Sequence, residues 1–144
     1  MNLFRVMEIS GSAMLAERTR AEVVAANLAN AETTHTTTGG PYRKMHVVFG
    51  ARQAGEFGMH LASFADLHAQ DVRVLGVVPD NTPATRRFEP GHPDADAQGY
   101  VSYPSINPAE EMVDLMGAAR AYEMNSAAVT SVKNMIQSAI TILS

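Results

Sequence analysis

Apolar residues recur at helical spacing at both ends of this chain, from Leu3 to Leu28 and again from Met112 to Leu143, while the Gly- and Pro-rich middle shows no comparable pattern. A helix with one apolar face needs cover, and the nearest cover for each terminal helix is the other, or a copy in a neighbouring subunit. The pattern therefore predicts an α+β chain. Long N- and C-terminal helices pack as a coiled-coil pair, residues 1–34 and 107–144 form the helical assembly domain, and residues 35–106 form a small β-rich middle domain. Such a chain is built to assemble rather than to catalyse.

The N-terminal stripe runs through Leu3, Met7, Met14, Ala21, Val24 and Leu28, with Ser10, Glu17 and Arg20 among the polar positions between them. It should end near Asn30. Beyond that point Thr33, Thr34, Thr36, Thr37 and Thr38 are β-branched and Gly39-Gly40-Pro41 cannot continue a helix, so an extended, hydroxyl-rich arm is expected. In the middle, Met45 to Phe49 and Val72 to Val78 read as strands and Tyr100 to Tyr103 as a third. The stretches Ala51 to Gly58 and Pro79 to Pro93 read as turns or loops.

The last helix opens with strong start signals: Asn107 as N-cap, Pro108 at the first helical position, and Glu110 and Glu111 at the positive end of the dipole. Its apolar stripe comprises Met112, Leu115, Ala119, Tyr122, Val129, Val132, Ile136, Ile140 and Leu143, with Ser126 in the slot between Tyr122 and Val129. A long helix with so narrow a stripe points to coiled-coil packing.

Composition removes several function classes. The 144 residues suit one domain, and much of the 46% hydrophobic content sits in the end segments, leaving little core for the middle. Trp is absent and aromatics make up 6%, which disfavours a deep aromatic-walled pocket and a small-molecule substrate. Nine methionines suit interfaces that pack adaptably. A net charge of -4 and a pI near 5.7 provide no basic field, and Arg43-Lys44 and Arg86-Arg87 are too few to make one, so no nucleic-acid partner is expected. Without cysteine there is neither a disulfide nor a thiolate metal site. Arg5 and Glu8 interrupt any signal-peptide core, and no window approaches the roughly 18 apolar residues of a membrane helix. The expectation is a protein kept in the cytosol, or one that leaves by a route sparing its N-terminus.

Candidate chemistry is thin. Asp94, Asp96, Gln98 and Gly99 match the opening of a calcium loop, but Ser105 stands where the bidentate Glu belongs and Pro104 precedes it. A turn in which Asp side chains accept nearby backbone N–H groups accounts for the pattern. Ser12 lacks a nucleophile elbow and reads as a small residue on a packed helix. His35, His46, His60, His68 and His92 show no i, i+4 pairing. Glu110 and Glu111 point to different helix faces and serve the helix start. No catalytic residue, cofactor or metal is expected.

Two polar clusters remain. Asn27, Asn30 and Thr33 stand at the end of the first helix, and Arg120, Tyr122 and Asn125 lie within the last. They read either as capping plus surface polarity or as residues that fix register between subunits, because polar groups at a packed seam penalise wrong alignments.

These residues also carry a resemblance. The run Ala26-Asn27-Leu28-Ala29-Asn30-Ala31-Glu32-Thr33-Thr34 resembles the signature that ends the N-terminal helix of flagellar rod and hook proteins. Asn107, Glu111, Met112, Leu115, Arg120, Tyr122, Glu123 and Asn125 resemble the matching C-terminal signature. Gly39 to Lys44 and Pro90 to Val101 look like the proximal-rod members, and the short middle argues against hook proteins.

The resemblance implies a structural subunit of the bacterial flagellar basal body, polymerised helically into the drive-shaft across the periplasm. It implies export through the flagellar type III apparatus without signal cleavage, and contacts with itself, other rod subunits and the base-plate adapter. The end helices would form an inner tube and the middle an outer layer. Asn27, Leu28, Asn30, Thr33, Met112, Leu115, Arg120, Tyr122, Asn125, Val129, Ile136 and Ile140 are the assembly-interface residues it implies. Two other readings compete: a helical-hairpin adaptor that does not polymerise, and, more remotely, a metal-dependent enzyme built on His92, Asp94 and Asp96.

Overall fold

Helix α1 (Leu3–Ala29) stops where Asn30 turns its own amide and side chain back on the helix. Its backbone N and its Nδ2 both donate to Ala26 O, at 3.1 and 2.8 Å, and Thr33 Oγ1 donates to Asn30 Oδ1 at 3.2 Å. Carbonyls orphaned by the helix end are satisfied there, at the expected position. Helix α2 (Pro108–Leu143) starts equally sharply: Asn107 Oδ1 accepts Ala109 N at 3.1 Å and Asn107 O accepts Glu111 N at 3.1 Å. The computed structural model describes residues 3–51 and 71–143. The loop reading of Ala51 to Gly58 lies outside the described residues except for Ala51, as do His60 and His68.

Between the helices, β1 (Met45–Ala51) pairs antiparallel with β2 (Val72–Pro79), from Met45 opposite Pro79 to Ala51 opposite Val72, with a bulge between Val48 and Phe49. Strand β3 (Thr85–Phe88) pairs antiparallel with β4 (Tyr100–Tyr103) in a second two-stranded ladder. The observed class is α+β.

Two local expectations need correction. The stretch Pro79 to Pro93, read as loop, contains β3, a strand whose four residues are all exposed and which has no apolar alternation to announce it. Long-range pairing makes it a strand, reinforced by Phe88 edge-on to Tyr100 at 5.3 Å, Arg86 over Tyr100 at 5.0 Å and Arg87 over Tyr103 at 4.6 Å. The threonine-rich arm is folded back rather than extended: Tyr42 N donates to Thr33 O at 3.0 Å, and Thr36 N to Gly40 O at 2.9 Å. Gly39 and Gly40, at φ +88° and +73°, supply the left-handed conformations that close it.

Helix α1 is shared. It packs against α2 and also against β1 and β2, where Ser12 Oγ accepts Val72 N at 3.2 Å. The helices run antiparallel, because Asn27 near the end of α1 meets Glu111 near the start of α2 while Arg20, further back, meets Asp114. With 36 residues against 27 and those ends paired, α2 projects past the start of α1. No helix among the described residues is long and apolar enough to cross a membrane.

The face of α2 turned to α1 differs from the expected stripe. Glu111, Ala118 and Val132 are buried and Leu115, Asn125, Val129 and Ile136 half-buried, while Met112, Ala119, Tyr122, Ser126 and Ile140 are exposed. Apolar residues surround much of this helix, including Val113, Met116, Met124 and Met135, so spacing alone did not select one face.

Candidate functional site

One buried polar constellation joins both helices to the sheet. Asn27 sits two residues before the end of α1, on the side that meets α2 and β1 at once. Its Nδ2 donates to Met45 O at 2.9 Å and to Glu111 Oε2 at 3.1 Å. Its Oδ1 accepts Met45 N at 2.9 Å and Tyr42 Oη at 3.1 Å. Both donors and both lone pairs of the amide are thus used, by a side chain that is 1% exposed.

Glu111 completes the cluster. It is also 1% exposed, and Lys44 Nζ approaches its second oxygen, Oε1, at 2.6 Å. A buried carboxylate is costly unless paired and hydrogen-bonded: Oε2 accepts from Asn27, while Oε1 has no hydrogen bond and is compensated by the adjacent Lys44 charge. Burial, with the nearby Glu111 charge, pushes the Tyr42 hydroxyl above its ordinary pKa and keeps it protonated as the donor to Asn27. The cluster ties α1, the folded arm, β1 and α2 to one register. It is a structural joint.

The two acidic turns are joints as well. Asp96 Oδ1 accepts Tyr100 N and Gln98 N, both at 2.9 Å, and Oδ2 pairs with Arg86, which holds its carboxyl below the usual range, chiefly through the Tyr100 bond. Asp94 accepts Thr34 Oγ1 at 2.6 Å, tying the arm to the β3–β4 loop. Among the described residues no three His, Cys, Asp or Glu side chains converge on a metal position. The basic pairs are engaged internally: Arg43 donates to Asp80 O and Asn81 Oδ1, each at 2.8 Å, Lys44 meets Glu111, and Arg86 and Arg87 stack on tyrosines.

Of the residues expected at an assembly interface, Asn27 is buried within the chain, where it sets register among α1, α2 and β1. Leu28, Asn30 and Thr33 are half-buried around the α1 cap. Leu115, Asn125, Val129 and Ile136 lie on the half-buried side of α2, where Asn125 Nδ2 donates to Ala121 O at 2.8 Å. Met112, Arg120, Tyr122 and Ile140 are exposed.

Sequence reasoning missed Glu111, Lys44 and Tyr42 as members of the site, reading Glu111 as a helix-start charge. The signal was present, since Glu111 precedes Leu115 by four residues and Ala118 by seven and so lies on their side of the helix.

The two ends that meet at this joint are the two regions that family models recognise. The model described as "Flagella basal body rod protein" matches residues 7–34, and that described as "Flagellar basal body rod FlgEFG protein C-terminal" matches residues 97–142. Paired terminal helices carrying these two signatures define a flagellar basal-body rod protein.

The chain is 37% identical to the flagellar basal-body rod protein FlgC of Borreliella burgdorferi, over 99% of each chain. It is 35% identical to FlgC of Escherichia coli O6:H1, over 99% of this chain and 98% of the relative, and 33% identical to FlgC of Bacillus subtilis, over 99% of each. The chain belongs to the FlgC family of flagellar basal-body rod proteins.

Proposed function

We propose that this chain is a structural subunit of the flagellar basal-body rod that polymerises helically into its proximal part and transmits torque across the periplasm. Full-length similarity to FlgC proteins is the observation that carries this reading. The architecture supports it: α2 is covered by α1 alone among the described elements and leaves Met112, Val113, Met116, Met124, Met135 and Ile142 exposed. Apolar surface of that extent on a helix is stabilised when a further helix covers it.

In this reading the terminal helices pack as coiled coils in the shaft wall and the β-rich middle lies outside them. Other rod subunits and the base-plate adapter are the neighbours, and export runs through the flagellar type III apparatus with the N-terminus uncut. Deletion of the gene tests it: flagellar assembly stops before any hook appears, and the intact chain restores it. Hooks that form normally without the chain overturn the reading.

A further inference from the structure

Two four-residue sets on the outer faces of α1 and α2 mirror one another. Along α1 the set is Phe4, Glu8, Gly11 and Leu15, and along α2 it is Val113, Gly117, Arg120 and Met124. Each advances by four, three and four residues, which at about 100° per residue keeps its members within roughly 60° on the helix surface. Read in opposite directions, the sets align Leu15 with Val113, Gly11 with Gly117, Glu8 with Arg120 and Phe4 with Met124.

Three properties of these residues suit them to a surface outside the chain. The large apolar members are among the most exposed of their kind, with Phe4 at 70%, Leu15 at 68%, Val113 at 64% and Met124 at 68%. Glu8 and Arg120 are exposed and form no ion pair among the described residues. A Cβ added at Gly11 or Gly117 would meet nothing within 4 Å, so packing inside the chain does not require glycine at either place. Glycine in a helix interior weakens the helix relative to alanine, and its use is to let another backbone come close.

We infer that this face docks a second copy of the chain, α1 of one copy lying antiparallel on α2 of the next and crossing it at Gly11 and Gly117. The inference rests on the rod reading, since copies that all point one way along a polymer present α1 and α2 to each other antiparallel. Charge complementarity selects the register through Glu8 and Arg120, and the two glycines let the backbones approach between the flanking apolar pairs. The contact is not the one inside the chain. There Asn27 lies opposite Glu111, which puts Gly11 opposite about residue 127. Meeting Gly117 instead displaces the neighbour by about ten residues, roughly 15 Å along the helix. A contact between two different surfaces with such an offset repeats without closing on itself.

The absence of cysteine makes the test direct. A full-length chain carrying both Gly11→Cys and Gly117→Cys replaces the natural one, and the cells are oxidised before basal bodies are purified. A ladder of dimers, trimers and higher multiples on non-reducing gels is the expected result, collapsing to dimers when the two cysteines are divided between co-expressed chains. Incorporation of the chain without any ladder overturns this contact and leaves the rod reading intact. Absence of the unaltered chain from purified basal bodies overturns the rod reading itself.

A charge exchange covers the case in which the cysteines prevent incorporation. Glu8→Arg and Arg120→Glu alone each lower incorporation at least about tenfold through like-charge contact, and the two together restore it. A double variant no better than either single overturns the proposal.

Discussion

Asn27 Nδ2 donates across 3.1 Å to Glu111 of the opposite helix, joining residues 84 positions apart through two side chains cut off from solvent. This bond brings the last turn of α1 to the first turn of α2, and the same amide holds the backbone of Met45. Asn27→Ala strands the Met45 peptide, the Tyr42 hydroxyl and one Glu111 oxygen. The expected loss is about 2–4 kcal/mol in urea or thermal unfolding. A loss under about 0.5 kcal/mol, the range of an ordinary surface change, would show that the amide holds nothing.

Half-buried Lys44 pairs with the fully buried Glu111, so the cost of breaking the pair differs from its net worth. Lys44→Met leaves the Glu111 charge uncompensated and should cost about 3–5 kcal/mol. Adding Glu111→Leu to Lys44→Met should recover part of that loss, since an apolar replacement removes the stranded charge while leaving one Asn27 donor unpaired. A double variant as unstable as Lys44→Met alone contradicts the assignment.

Asp80 ties the Met45–Pro79 end of the β1–β2 ladder. It accepts Thr82 N at 3.0 Å and Thr82 Oγ1 at 2.9 Å and pairs with His46 at 3.2 Å, and these bonds, the Thr82 backbone first, lower its pKa from 3.8 to about 2. A carboxyl depressed in the folded state binds its proton more weakly there than in the unfolded chain. Its stabilising contribution is therefore complete above the unfolded value and disappears as pH falls toward the folded one. Between about pH 5 and about pH 2.5 the urea midpoint of the natural chain should fall further than that of Asp80→Asn. Equal falls would remove Asp80 as a contributor.

The two sides of α2 should respond differently to truncation. Val132 is buried against α1, so Val132→Ala should cost about 2 kcal/mol in the isolated chain. Met124 is exposed, and Met124→Ala should stay within about 0.5 kcal/mol while reducing incorporation into basal bodies. A large stability loss from Met124→Ala would mean that the packed face of α2 has been assigned wrongly.

Helix ends and strand pieces were readable because each depends on residues close together in sequence. Asn107 caps α2 with its own side chain, Asn30 caps α1 in the same way, and the β-branched runs at Val47 and Val74 mark strands without outside help. Strand β3 was not readable, since Thr85-Arg86-Arg87-Phe88 has no alternation and becomes a strand through Tyr100 to Tyr103. The folded arm was missed for a related reason. Its threonines are extended formers locally, and closure needs Tyr42 to reach back to Thr33. Resemblance identified the signature residues around Asn27 and Glu111 without saying what they touch.

From its residues alone the chain specified two long terminal helices, where they begin and end, and a modest β-containing centre, because caps, turn formers and apolar periodicity act over one or two helical turns. Which face of α2 meets α1 was decided only in three dimensions. Apolar side chains ring much of that helix, so the hydrophobic effect, having no direction, did not choose among them. The hydrogen bonds of Asn27 with Glu111, Met45 and Tyr42 do have direction, and they became available only once distant segments met.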